Sequence, residues 1–414
     1  MRTHIDTIFD KLNRYTHTDT RYLAHGGFWL SLGSFIELSL GALTVIILAN
    51  LIDKENLGLY QFIISTATIL GAFTLTGLAT TVTTETARGN DGALWSGVRT
   101  KLKWNIGITL ASLSIALYYF INDNSTLAIA FLIVGTFSPF IESFHLYRPF
   151  IIGKQAYKFS AFINVFRMII PTFILIGTVL ITQNPLILIT AYFAGHLIAV
   201  TTGYFITLYY FNPPRIDTFR GKTLFSKHLS IMQLAGRVAQ HIDKVLVYHH
   251  LGAIAVATYT IAQMPTKYTK NMLGVVQSLV LPKVSQRDFT SLQYTLPHKV
   301  WLFFSIVSAI VLSYIILAPL IFGLIFPQYP ESVIISQILA LSILVLPFSV
   351  YGQTLIAHEK TTWLYIFQIS GVGLKLTLLY ILLPIYGIWG AVYAILISEM
   401  VNSLFVISIF RHIK

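Results

Sequence analysis

VWLFFSIVSAIVLSYIILAPLIFGLI, residues 300–325, is a run of 26 residues without one charged side chain. Wound as an α-helix rising about 1.5 Å per residue, it outruns the roughly 30 Å of hydrocarbon in a bilayer. Comparable runs precede it near 26–50, 57–82, 103–121, 126–148, 159–182, 185–211, 228–250 and 253–281, and follow it near 332–356, 361–383 and 386–410. These are twelve candidate spans. The chain is 55% hydrophobic and 11% charged over 414 residues, against roughly 45–50% and 25% in a soluble domain. The expected fold class is an all-α polytopic membrane protein of about twelve transmembrane helices.

The run beginning near Gly26 is too long for a signal-peptide core and is followed by no small-residue cleavage pattern, so it reads as the first span. Cysteine is absent, which excludes disulfides, thiolate metal sites and a cysteine nucleophile. No His/Asp/Glu spacing resembles a metal site, and no cofactor is expected. The formal charge of +12 has the right sign for nucleic acid, but the cations sit in short loops between spans. That placement points to anionic membrane lipids and to orientation, with no nucleic-acid partner.

Lys and Arg outside the spans test the topology independently of hydropathy. One side collects Arg2, Lys11, Arg14 and Arg21; Arg88, Arg99, Lys101 and Lys103; Arg148, Lys154 and Lys158; Arg215, Arg220, Lys222 and Lys227; Lys283, Arg287 and Lys299; Lys360; and Arg411 and Lys414. The other side has Lys54 alone. The positive-inside rule then puts both termini in the cytoplasm.

The domain plan follows. Residues 1–25 form a cytoplasmic N-terminus in which Ile5, Ile8, Phe9 and Leu12 share a helical face, as in an interfacial helix or a simple lead-in to the first span. A six-helix lobe covers 26–211, a cytoplasmic linker 212–227, a second six-helix lobe 228–410 and a tail 411–414. The lobes repeat weakly at an offset of 199 residues: LGLYQFI at 57–63 matches VATYTIA at 256–262, and Pro185 matches Pro384. Six spans separate the copies, so the lobes run parallel, related by an axis along the membrane normal, with a cavity expected between them.

Ten charges fall inside spans: Arg167, Arg237, Lys244, Lys267, Lys270 and Lys375, with Glu37, Glu142, Asp243 and Glu399. Each costs roughly 2.5–3.5 kcal/mol at the centre of a lipid-facing helix, so they must face water or one another. In the seventh span Gln233, Arg237, Gln240, His241, Lys244 and Tyr248 share one face; in the eighth, Gln263, Lys267, Lys270, Gly274 and Gln277 do. These stripes are the candidate lining for an anionic cargo. The competing structural roles are snorkelling for Lys267 and Lys270, neutralisation of a neighbouring cation by Asp243, and pairing of Glu142 or Glu399 with Arg167 or Lys375. His145 and His196 read as packing residues. Glu37, with Gly33, Gly41 and Thr44, is either a protonatable switch or a satisfied acid in a close helix contact; Glu37, Asp243, Glu142 and Glu399 are the candidates for ion coupling.

The run ENLGLYQF after the first span, HIDKVLVYHHLGAIAVATYTIA at 241–262, LIFPQYPES at 324–332 and LLPIYGIWGAVYAILISE at 382–399 resemble polysaccharide biosynthesis flippases. This is the O-antigen flippase branch of the superfamily that also holds multidrug and toxin extrusion exporters. The resemblance covers nearly the whole chain; its motifs are short and architectural, and carry no signature set of site residues. It implies translocation of undecaprenyl-pyrophosphate-linked oligosaccharides across the bacterial cytoplasmic (inner) membrane, with a polysaccharide polymerase as a potential partner. A 14-span lipid II flippase fits less well, being two spans longer. Two other functions stand beside it. A cation-coupled drug exporter would favour acidic cavity walls, and a membrane-bound polymerase would need catalytic residues on a substantial outer loop, where these loops are short and nearly uncharged.

Overall fold

Apolar side chains at every turn of these runs leave the backbone no partner but itself, and helices result. The computed structural model describes residues 20–216, 223–278, 284, 289–358 and 361–412. The expected N-terminal amphipathic face at Ile5–Leu12 lies outside them, as do residues 217–222 of the linker and the side chain of Gln277. The first half comprises α1 (Thr20–Leu51), α2 (Lys54–Ala72), α3 (Leu78–Ala87), α4 (Ala93–Trp104), α5 (Ile106–Ile121), α6 (Ser125–Phe144), α7 (Tyr147–Gly153), α8 (Tyr157–Ile181) and α9 (Pro185–Phe211). The second comprises α10 (Thr223–Ser278), α11 (Phe289–Ile325), α12 (Ser332–Ala340), a 3₁₀ segment Leu341–Phe348, α13 (Ser349–Ala357), α14 (Thr361–Tyr386) and α15 (Ile388–His412). No strand occurs among the described residues.

Among the described residues, ten segments are long and apolar enough to cross a membrane, including Ser226–Gly274 with 49 residues. That segment is two crossings. Gly252 has φ 80° and ψ −175°, outside helical geometry. Asp243 Oδ2 accepts hydrogen bonds from Tyr259 Oη and Gln263 Nε2, both at 2.9 Å. In a straight helix those residues would stand about 24 and 30 Å away. The chain therefore reverses at Gly252, where φ > 0 favours glycine.

The expected single span at 57–82 is instead divided. Helix α2 stops at Ala72, the Thr74 hydroxyl donates to the Gly71 carbonyl at 2.8 Å, and α3 starts at Leu78. Gly77 lets this break press against the start of α10, where an added Cβ would meet Leu229 and the Ser226 carbonyl at 2.5 Å. The expected helix at 332–356 also changes character, passing through 3₁₀ geometry up to Pro347, which has no N–H to continue an α-helical ladder.

The two ends of the bundle differ. At the end carrying Lys54, one apolar core joins both halves: Leu48, Phe62 and Phe131 pack with Ala257, Ile261, Phe322 and Tyr329. Phe62 and Tyr248 stack at 3.8 Å, and a Cβ on Gly58 would lie 1.8 Å from the Ala253 carbonyl. Asn50 donates to the Ile325 carbonyl at 2.8 Å, and Lys54 pairs with Glu331. At the opposite end, where Arg88, Lys103 and Lys154 gather, the cores are separate: Leu78, Leu94, Tyr147 and Phe150 in one half, Leu292, Leu355 and Phe410 in the other. The direct polar link described there between the halves is small, Thr81 to Ser226 at 2.8 Å and the Gly77 N–H to Ser230 at 2.9 Å.

Candidate functional site

Charge enters the bundle interior from this basic end. On α4, the buried positions Ala93, Leu94, Gly97, Val98 and Lys101 recur at helical spacing, so Lys101 points inward with the apolar stripe. Its ammonium donates to Glu142 Oε2 at 2.9 Å. Glu142 lies three residues past Pro139 on α6. Pro139 has no N–H for the Gly135 carbonyl; the Thr109 hydroxyl supplies a donor there at 3.1 Å. The Asn105 amide fixes the same stretch through the Pro139 carbonyl at 2.9 Å and Ser143 Oγ at 2.8 Å.

Arg148 stands near the start of α7 and Arg167 on α8, both turned toward α1. Arg167 Nη2 donates to Glu37 Oε1 at 2.5 Å, and Arg148 Nη2 lies 3.7 Å from Glu37 Oε2. Arg167 is 8% exposed, so its charge needs this partner. Pro171, four residues on, leaves the Arg167 carbonyl without its helical donor and packs against Gly195 of α9, where an added Cβ would stand 2.9 Å from Pro171 Cα.

Between these groups lies a half-open cavity of about 580 Å³, bordered by Thr80, Thr83, Lys101, Glu142, Arg148 and Arg237. Arg237 is its contribution from α10 and is itself exposed. Glu142 also borders a space of about 120 Å³ with Tyr192 and His196. Those two residues in turn border a third space of about 230 Å³ that reaches Thr44, Gln61 and Tyr268. Polar space thus extends from the basic end into the first half. Around the large cavity and its Glu37 neighbour, Lys101, Arg148, Arg167 and Arg237 outnumber Glu37 and Glu142 by two positive charges.

The remaining sequence candidates do not border this cavity. Asp243 is 2% exposed and fully engaged with Tyr259 and Gln263. Lys244 reaches Gln61 Oε1 of α2 at 3.4 Å, Lys270 pairs with Glu399 at 2.6 Å, and Lys375 donates to the Ala239 carbonyl. His241 and Gln233 are half-buried, while Gln240 and Lys267 are exposed. The limbs of α10 meet through Asp243. The expected pairing of Glu142 or Glu399 with Arg167 or Lys375 is also replaced: Glu142 takes Lys101, Glu399 takes Lys270, and Arg167 takes Glu37. His196 packs as expected, its Nδ1 2.9 Å from the Tyr192 carbonyl.

Sequence reasoning missed Lys101 and Arg148 by counting both as loop cations. The signal for Lys101 was its place four residues beyond Gly97 on the apolar stripe of α4. Arg148 offered less, since α7 is a separate seven-residue helix after a break at 145–146.

The fold is an all-helical bundle of segments long and apolar enough to cross a membrane, with a charged cavity inside it. It superimposes on a multidrug resistance MATE family transporter of the MOP superfamily in its outward-facing conformation with a TM-score of 0.61 at 15% identity, covering 93% of this chain and 94% of that one. The lipid II flippase MurJ in an inward closed conformation gives 0.66 at 14% identity, over 92% and 86%. A MOP superfamily transporter from Pyrococcus furiosus, described by the reverse polarity of its binding pocket, gives 0.58 at 17% identity, over 94% and 96%. Curated proteins yield no significant sequence match. Residues 23–288 match the polysaccharide biosynthesis protein family, and the chain belongs to it.

Proposed function

We propose that this protein is a flippase that carries an undecaprenyl-pyrophosphate-linked oligosaccharide, an O-antigen or related surface-polysaccharide unit, from the cytoplasmic to the outer leaflet of the bacterial inner membrane. The observation that carries this is the cavity bordered by Lys101, Arg148 and Arg237, with two positive charges in excess when Arg167 and the two carboxylates are included. A pyrophosphate diester brings two negative charges. Arginine offers forked donors to phosphate oxygens and lysine a point charge, so both residue types suit that headgroup. The cargo's own lipid chain stays in the bilayer while the cavity shelters what hydrocarbon excludes.

The preponderance of loop cations supports a cytoplasmic location for the basic end and both termini. The cavity then lies toward the side where such cargo is made, while the core shared by both halves seals the Lys54 end. MurJ, which shares the fold, is itself a lipid II flippase. A cationic drug would meet repulsion at these walls, which weighs against an exporter of that class.

The test is genetic and chemical. Removing the protein should make a pyrophosphate-linked saccharide accumulate in the cytoplasmic leaflet, as read by mass spectrometry of extracted lipids and by protection from an external glycosidase. Unchanged lipid-linked intermediates, with surface polysaccharide intact, would contradict the assignment.

A further inference from the structure

Glu37 occupies an unusual position for a membrane carboxylate. It bridges arginines from two other helices, through Oε1 to Arg167 at 2.5 Å and through Oε2 toward Arg148 at 3.7 Å. Among the described residues, neither arginine has another carboxylate within 4.0 Å. Arg148 also borders the large cavity, so the same residue meets both Glu37 and that space. The bridge is incomplete: the Nε of Arg167, enclosed in the bundle, has no hydrogen-bond partner, and neither has the buried Tyr147 hydroxyl beside Arg148 in sequence. A guanidinium has five N–H donors, and one carboxylate held by one short and one long contact leaves most of that capacity unused.

We propose that Glu37 is an internal stand-in for the cargo's phosphate: its carboxylate neutralises Arg148 and Arg167 while the cavity is empty, and an incoming phosphate displaces it. The proposal rests on the assignment of a pyrophosphate-bearing cargo and adds how that site is emptied and reset. Phosphate oxygens supply more acceptors than a carboxylate does and match the arginine fork at least as well. Exchange can begin at Arg148, since the side chains of Glu37 and Arg148 are 30% and 28% exposed while Arg167 lies deeper at 8%. It also meets a requirement of any carrier. Arg148 and Arg167 left unpaired in a low-dielectric interior would oppose the return of the empty protein, and a tethered anion relieves them when cargo leaves. The same tether weakens cargo binding by competition, which speeds release.

Competition has a sign that a purely structural ion pair does not share. The full-length protein in phosphatidylcholine nanodiscs should bind geranylgeranyl pyrophosphate, with geranylgeraniol as the uncharged control, by isothermal titration. Glu37→Gln should bind the pyrophosphate about tenfold more tightly while flipping a lipid-linked pyrophosphate more slowly, because release is retarded. Glu37→Asp, which keeps the charge but withdraws it from Arg148 by one methylene, should fall between wild type and Glu37→Gln, and it carries the test if Glu37→Gln does not fold. Unchanged or weaker binding in the folded Glu37 variants, with binding still lost in Arg237→Ala, overturns the stand-in and leaves the phosphate site standing. Failure of wild type to prefer the pyrophosphate over the alcohol overturns both.

Discussion

Arg237 and Asp243 sit six residues apart on one helix limb and do different work. Arg237 is exposed at the cavity border, whereas Asp243 is 2% exposed and accepts from Tyr259 and Gln263. Replacing Arg237 by Ala should cut flipping by about tenfold or more at unchanged membrane abundance, since a charge-assisted hydrogen bond contributes roughly 1.5–3 kcal/mol. Lys should restore it poorly where forked geometry is used. Asp243→Ala should act on stability instead. It strands a buried hydroxyl and amide, at about 1–3 kcal/mol, and lowers the unfolding midpoint in detergent, with Asn intermediate because it retains an acceptor. If Asp243→Ala keeps full stability but loses dependence on H⁺ or Na⁺, Asp243 is a coupling residue and not a structural one. The same contrast shows what single residues revealed in advance. Charges inside spans were legible because hydrocarbon penalises them, but their partners were not, since Glu142–Lys101 and Glu37–Arg167 join helices whose relative rotation no local pattern records.

Helices make two closures at the Lys54 end. The first is the approach of α2 to α10, where a Cβ on Gly58 would stand 1.8 Å from the Ala253 carbonyl, a backbone atom that cannot swing aside. Gly58→Ala should therefore destabilise by about 1–3 kcal/mol, as overpacking does. Gly177→Ala, in a helix where a Cβ meets nothing within 4 Å, should be neutral or mildly stabilising. Equal unfolding midpoints for the two variants would contradict the close packing.

The second closure is the Lys54–Glu331 pair with Thr258 beside it. Partial burial alone would raise the Glu331 pKa, but the hydrogen bond from Lys54, with smaller help from Thr258, holds it below the usual carboxylate value. A depressed carboxylate pKa stabilises the folded pair above its unfolded value and loses that contribution only as pH falls through the lower, folded one. Between pH 5 and 8 the closure should not change, and Glu331→Gln should cost under about 1 kcal/mol because the pair is partly solvated. A pH dependence of flipping in that window that disappears in Glu331→Gln would overturn this. Helix existence was legible from hydropathy almost throughout. The breaks at 73–77 and 341–348 were not, because they answer to contacts with α10 and to Pro347 within a run that stays apolar.

For the molecule as a whole, the core shared by both halves at the Lys54 end and the separate cores at the opposite end describe a bundle with one sealed and one basic end. The all-helical membrane fold, the reversal at Gly252 and the family were within reach of the sequence, the last through short motifs such as LGAIAVATYTIA. The cavity bordered by Lys101 and Arg148 was not distinguished in the sequence from the stripes of α10, since polar faces at helical spacing look alike whether they line water or grip each other. Cargo carrying two negative charges out of a negative interior gains about 2.3 kcal/mol per charge over 100 mV. A potential negative on the basic-end side should accelerate flipping, and reversing it should slow flipping. A reporter active only outside the cytoplasm, fused after Lys414, should be silent.

The central claim is that the Arg148 and Arg237 cavity moves an anionic lipid-linked headgroup, and the direct measurement is flipping in sealed vesicles containing the purified protein. A fluorescent polyprenyl-pyrophosphate saccharide should cross with wild type, a polyprenyl saccharide without phosphate should cross at least tenfold more slowly, and the Arg148→Ala/Arg237→Ala variant should lose the difference between them. Equal rates for both lipids with wild type, or an undiminished pyrophosphate rate in the double variant, would contradict the claim.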